Sequence, residues 1–110
     1  MATARSSWAD ARGARATAHA VVLRTLDGGA YADRAFFGEA RGLSGRDRSL
    51  AKRLAYGTVQ RRGSLDWLID RHTDRKLDPE IRAALQLGLY QLLFTEVADH
   101  AAVGETVEAV

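Results

Sequence analysis

Three histidines and sixteen lysine or arginine side chains are what this chain has to offer chemically, and their spacing decides which chemistry is open to them. His19, His72 and His100 fall on three separate helical segments, with no H-E-x-x-H or carboxylate spacing, so they do not read as metal ligands. Without cysteine, no disulfide, thiol nucleophile or cysteine-bound metal is available. Nucleophile-elbow, P-loop and dinucleotide glycine patterns are missing too; Gly28 and Gly29 merely separate two helices. A nucleophile, a general base and an orienting group never fall in one neighbourhood, so no catalytic residue and no cofactor site is expected in these 110 residues.

The cations are distributed differently. Residues 1–62 hold 12 basic and 5 acidic side chains, a balance of +7, whereas residues 63–110 hold 4 and 9, a balance of −5. A net charge of +2 therefore conceals a basic half with the composition of a phosphate-facing surface. Fourteen of the sixteen are arginine, whose planar fork suits bidentate contact with phosphate. The residues expected to make such contacts are Arg12 and Arg15 near the start of the first helix and Arg46, Arg48, Lys52, Arg53, Arg61 and Arg62 along the third, with Arg5 on an N-terminal arm. A solvated charged helix face is the plain alternative for the third helix.

These side chains must be carried by helices, because no stretch shows strand-like alternation or repeat. Residues 1–10 read as a flexible arm, with Trp8 docked on the domain or stacked on a base. Residues 11–110 read as one domain. A first helix runs from Ala11 to Leu26 and stops at Gly28 and Gly29. A short second helix spans about Tyr31 to Ala40, with Tyr31, Ala35 and Phe36 or Phe37 inward. Ser44, with Asp47 three residues on, has capping-box spacing for a third helix that buries Leu50, Leu54, Gly57 and Thr58. Gly63 breaks the chain and Ser64 caps a fourth, with Leu65, Leu68, Ile69 and His72 on its seam.

The stretch from Leu77 to Thr95 is the expected centre of the bundle. Asp78 stands at its cap, Pro79 sets the first turn, and Ile81, Leu85, Leu89 and Leu92 recur at spacings of four, four and three. Ala84, Leu87, Gly88, Leu93 and Phe94 make it apolar on nearly every side, so other helices should wrap it, and Gly88 would admit a close neighbour. A last helix begins at Asp99 with Ala102, Val103, Val107 and Val110 on one face. No apolar run nears the ~18 residues of a membrane span, and no signal-peptide core opens the chain, so the reading is cytoplasmic with no membrane partner.

In this order, RATAHAVVLRTLDGGAYAD (15–33), LSGRDRSLAKRLAYGTVQRRGSLDWLID (43–70), LDPEIRAALQLGLYQLLF (77–94) and HAAVGETVEAV (100–110) resemble the NusB-like helical domain. YGTVQRRGSLDWLID and HAAVGETVE look most like its version at the N-terminus of the RsmB/Sun/Fmu family of ribosomal RNA cytosine-C5 methyltransferases. The resemblance implies an all-α antiparallel bundle of about six helices that binds RNA. It also implies an accessory role beside a downstream catalytic domain that uses S-adenosylmethionine. The arginine-rich N-terminal region that helps bind RNA in free NusB matches Arg12 and Arg15 here, with Arg5 beside them. Free NusB, the alternative, is a transcription antitermination factor that binds boxA RNA together with a small-subunit ribosomal protein.

Ala98 stands where a proline usually precedes the HAAV-like helix. The family continues into an F-V-N-A-V-L-R-like segment beyond the last residue here, so the domain is expected to be C-terminally truncated. A third reading follows from that: a helical interaction module whose incomplete bundle exposes an apolar groove to a partner or to a second copy, giving a homodimer.

Overall fold

The computed structural model describes residues 6–26 and 31–95, with the side chains of 6–12 excepted. They form five helices and, among the described residues, no strand: α1 (Ser6–Leu26), α2 (Ala32–Glu39), α3 (Gly45–Gln60), α4 (Arg62–His72) and α5 (Pro79–Phe94). The sixth expected helix, from Asp99, lies outside the described residues, as do Arg5 and the Gly28–Gly29 break. The first helix starts at Ser6, five residues ahead of the expected Ala11.

The hub of the bundle is α1 rather than α5. It packs most extensively, on α2, α3 and α5, while α3 is the helix that touches all four others and α4 rests on α3 and α5. Residue size explains this. The main buried cluster joins Ala14, Ala18, Val21, Ala35, Phe36, Ala40, Ala51, Leu54, Ala55 and Leu87. Six of those ten are alanine, two on α1 and two on α3, so the axes of these helices come close and the pair forms the centre of the bundle. A close approach is made at Gly57 on α3, where a Cβ would run into the ring of Tyr90 on α5.

Helix α5 is rotated away from its expected setting. Its buried residues are Ala83, Gln86, Leu87 and Gln91. Ile81 and Leu85 are 44 % and 41 % exposed, and Leu89 and Leu92 are half-buried. The glutamines decide the rotation because each finds a partner across a helix boundary. Gln86 Nε2 donates to Asp66 Oδ1 on α4 at 2.7 Å, and Gln91 Oε1 accepts from Arg15 Nε on α1 at 2.6 Å. Asp66 also accepts from Arg82 at 2.9 Å, and Asp70 from Arg82 at 2.8 Å, so α4 is clipped to α5 along one edge. These two hydrogen bonds, to Asp70 and then Asp66, raise the pKa of Arg82.

Two expected caps differ in detail. At Ser44 and Asp78 no side chain caps the helix; the backbone oxygens accept instead, from Asp47 N–H at 3.1 Å and Arg82 N–H at 2.9 Å. Gly45 enters α3 in the left-handed region at φ +50, a conformation that glycine adopts without strain. The expected break at Gly63 is absent. The chain turns at Arg61, whose N–H bonds the Gly57 carbonyl and whose carbonyl accepts from Leu65, and Ser64 is an exposed residue inside α4. His72, expected on the buried seam, is exposed, and its Nδ1 donates to the Leu68 carbonyl at 3.0 Å.

Between α2 and α3, the Tyr56 hydroxyl donates to Asp33 Oδ1, and Phe36 meets the Tyr56 ring edge-on at 5.9 Å. That bond, with burial and the Asp33 charge, pushes the Tyr56 pKa up from 10.0 to about 12. A raised pKa means the folded state holds the phenolic proton more tightly than the unfolded chain does. The stabilisation is therefore whole below pH 10 and fades as pH climbs through about 12. In a tyrosinate absorbance titration of the folded protein, Tyr56→Phe should remove a step near the top of that window; loss of a step near pH 10 instead would contradict the bond.

Candidate nucleic-acid interface

The third helix is the most basic element. Residues Ala51, Leu54, Ala55 and Thr58 recur at helical spacing and are buried against α1 and α5, which fixes which side faces out. The exposed arc carries Gly45, Arg46, Ser49, Lys52, Arg53 and Gln60 and no carboxylate. Arg46 and Arg53, two turns apart, flank Ser49 and Leu50 around an open cleft of about 360 Å³. Two arginines and a serine border it, residue types whose donors suit an anion with several acceptor oxygens. Arg61 extends the same charge past the helix end, its guanidinium 4.3 Å from the centre of the Phe94 ring.

The remaining expected residues are elsewhere or otherwise engaged. Arg12 lies in α1, but its side chain is outside the described residues, and Arg5 lies outside them altogether. Arg15 is corrected: it is 5 % exposed, inside the bundle, and bonded to Gln91. His19 lies one turn further along α1, its Nε2 donating to the Glu80 carbonyl at 2.9 Å. So α1 holds α5 with its polar side chains as well as with its alanines.

Arg48 is half-buried, 5.1 Å over the Phe36 ring, with Nη1 donating to the Ala40 carbonyl at 3.2 Å. Arg62 is half-buried and engaged within the bundle. Its guanidinium reaches back to the end of α1, to the carbonyls of Val22 (3.4 Å) and Thr25 (3.5 Å) and to the Thr25 hydroxyl. A cation there satisfies carbonyls left over at a helix C-terminus and suits the negative end of its dipole. Burial lowers the Arg62 pKa, partly opposed by the charge of Asp66.

Sequence reasoning passed over Arg34 and Arg41. Both are exposed on and just beyond α2, with Phe37 between them at spacings of three and four. Tyr31 and Phe37, both candidates for burial, are instead 83 % and 71 % exposed, while Ala35 and Phe36 turn inward. A seven-residue arginine spacing with an aromatic in the middle is the sequence signal that would have found this face.

A second surface is of another kind. Leu68, Ile69, His72, Thr73, Leu85, Leu89 and Leu93 line a largely apolar groove of about 500 Å³ between α4 and α5. Among the described residues no group of three or more His, Asp or Glu side chains gathers as a metal site, and no helix is long and apolar enough to cross a membrane.

A putative methyltransferase, Rv1407, of Mycobacterium tuberculosis (strain ATCC 25618 / H37Rv) is 48 % identical over 71 residues, which is 62 % of this chain and 16 % of that protein. The ribosomal RNA small subunit methyltransferase B of Escherichia coli O157:H7 is 38 % identical over 69 residues, 60 % of this chain and 16 % of that protein. Its namesake from Yersinia enterocolitica (serotype O:8 / biotype 1B, strain NCTC 13174 / 8081) is 32 % identical over 97 residues, 86 % and 23 % respectively. The chain thus spans less than a quarter of the length of these curated relatives. No solved structure matches it. Residues 12–110 match the NusB family across nearly the whole length, and the all-helical architecture agrees with that match, so the chain belongs to the NusB family.

Proposed function

We propose that this chain is an RNA-binding domain of a ribosomal RNA cytosine-C5 methyltransferase, serving to hold RNA rather than to modify it. The carboxylate-free outer arc of α3, with Arg46, Lys52 and Arg53 exposed together, is the observation that carries the reading. Contacts of this kind position a nucleic acid through its phosphates and read little sequence. In this reading S-adenosylmethionine and the catalytic residues belong to other parts of a longer protein. The names of the relatives support that over a free-standing antitermination factor.

Binding of single-stranded RNA should weaken steeply with salt. Arg46→Ala/Lys52→Ala/Arg53→Ala should flatten the slope of log K against log salt by roughly 2, at about 0.7 for each phosphate no longer neutralised. Because all three side chains are exposed, the melting temperature should stay within a few degrees of the parent's. An unchanged slope would remove α3 from the interface.

A second reading, an interaction module that pairs with its own copy, is favoured by the apolar groove. Leu85 and Leu93 of its lining are themselves exposed, as is Ile81 on the same helix, so two copies related by a two-fold axis would cover these side chains by packing α5 on α5. Salt-insensitive self-association in the same experiments, with no RNA affinity, would favour this reading over the first.

A further inference from the structure

We propose that Phe37 is a stacking platform for an unpaired base of single-stranded RNA. This deepens the reading of the chain as an RNA-binding domain and rests on it. An aromatic ring 71 % exposed on a helix that buries its neighbours Ala35 and Phe36 is not serving the core. Its surroundings indicate what it is suited to meet. Arg34 lies three residues before it on the same helix, a spacing that makes the two lateral neighbours, Arg41 follows in the turn just past α2, and both are exposed. Phe37 also shares a side of α2 with Asp33 and Ala40, four residues before and three after. Asp33 touches α3 through the Tyr56 hydroxyl, and the Ala40 backbone carbonyl at the end of α2 accepts from Arg48 Nη1. The Phe37 ring therefore emerges at the edge of α2 that borders Arg48 and Lys52, with Lys52 5.7 Å over the Tyr56 ring.

Of the carboxylates at this edge, Glu39 is offset by a cation, whereas Asp33 keeps its charge and is outnumbered by Arg34, Arg41 and Lys52. Asp33 accepts from Tyr56, and Glu39 pairs with Arg24 at 3.3 Å. What is left facing solvent is a ring with cations on both sides. Water solvates the ring poorly, and a peptide partner of acidic character would meet the cations but gain little from the ring. An unstacked base meets both demands, since its face covers the ring while the phosphates on either side of it meet Arg34, Arg41 and Lys52. A duplex offers no open base face, so the site discriminates single strands from duplexes by geometry rather than by charge.

The test uses the full chain with a single-stranded RNA oligonucleotide carrying 2-aminopurine, whose fluorescence is quenched on stacking, and a duplex of the same sequence. Phe37→Ala should weaken single-strand binding about tenfold or more and abolish the protein-induced quench. Duplex affinity and the salt slope should stay unchanged, and Phe37→Trp should restore single-strand binding. If the parent binds RNA but Phe37→Ala binds both forms as the parent does, or loses both equally, the platform is refuted while the RNA reading stands. If the parent binds neither form, the RNA reading falls first and the platform with it.

Discussion

Replacing Gly57 by valine is expected to lower the unfolding free energy by about 3 kcal/mol, at the upper end of the usual range for overpacking. A Cβ at this position would overlap the Oη, Cζ and Cε1 atoms of Tyr90, which places the phenol ring directly against the α3 backbone. The ring is not easily moved aside, because Tyr90 is partly buried on the main cluster and stacks on Phe94 at 5.8 Å with the planes 25° apart. Relief would require α3 and α5 to separate, and Leu54 and Leu87 lie in the same cluster. Gly57→Ala should cost less, since alanine regains roughly 1 kcal/mol of helix propensity over glycine. Urea denaturation of Gly57→Val, Tyr90→Ala and the double variant measures the clash itself. If the double variant is as destabilised as the sum of the singles, the close approach is not there.

Arg15→Ala should destabilise the fold by about 2–4 kcal/mol and leave RNA binding alone. Its guanidinium is inside the bundle, donating to Gln91, which in turn donates to the Leu87 carbonyl at 3.2 Å. Truncation takes a charge-assisted donor from a buried amide oxygen, a loss of about 1.5–3 kcal/mol, and leaves the space of a long side chain beside α5. Thermal unfolding reads the first effect. The salt dependence of RNA affinity, measured where both proteins are folded, reads the second. A flatter salt slope with an unchanged melting temperature would return Arg15 to the RNA-facing surface on which its sequence position suggested it.

That pair of expectations shows how far residue order carries. Helices α2, α3 and α5 were legible, their ends marked by Gly42, Ser44 and the Asp78-Pro79 pair. The outward side of α3 was legible too, because Ala51, Leu54, Ala55 and Thr58 leave only one side free for Arg46, Lys52 and Arg53. The junction at Arg61 was not. Gly63-Ser64 looks like a break and a cap, yet α4 begins at Arg62, whose guanidinium finds the carbonyls at the end of α1, far away in sequence.

The sequence by itself determined the helical class and the existence of one strongly basic helix, since each follows from local spacing and residue type, while the family was reached through the likeness of four segments to a known domain. Tertiary structure decided which arginines that charge leaves exposed: Arg46 and Arg53 face solvent, while Arg15 and Arg62 tie helices together. It also set the rotation of α5, turning Gln86 and Gln91 inward and Ile81 and Leu85 out. The physical reason is the same in both cases. A helix apolar on every side has no preferred face of its own, and a buried amide or guanidinium is tolerated only where another helix supplies its partner, which no local pattern encodes.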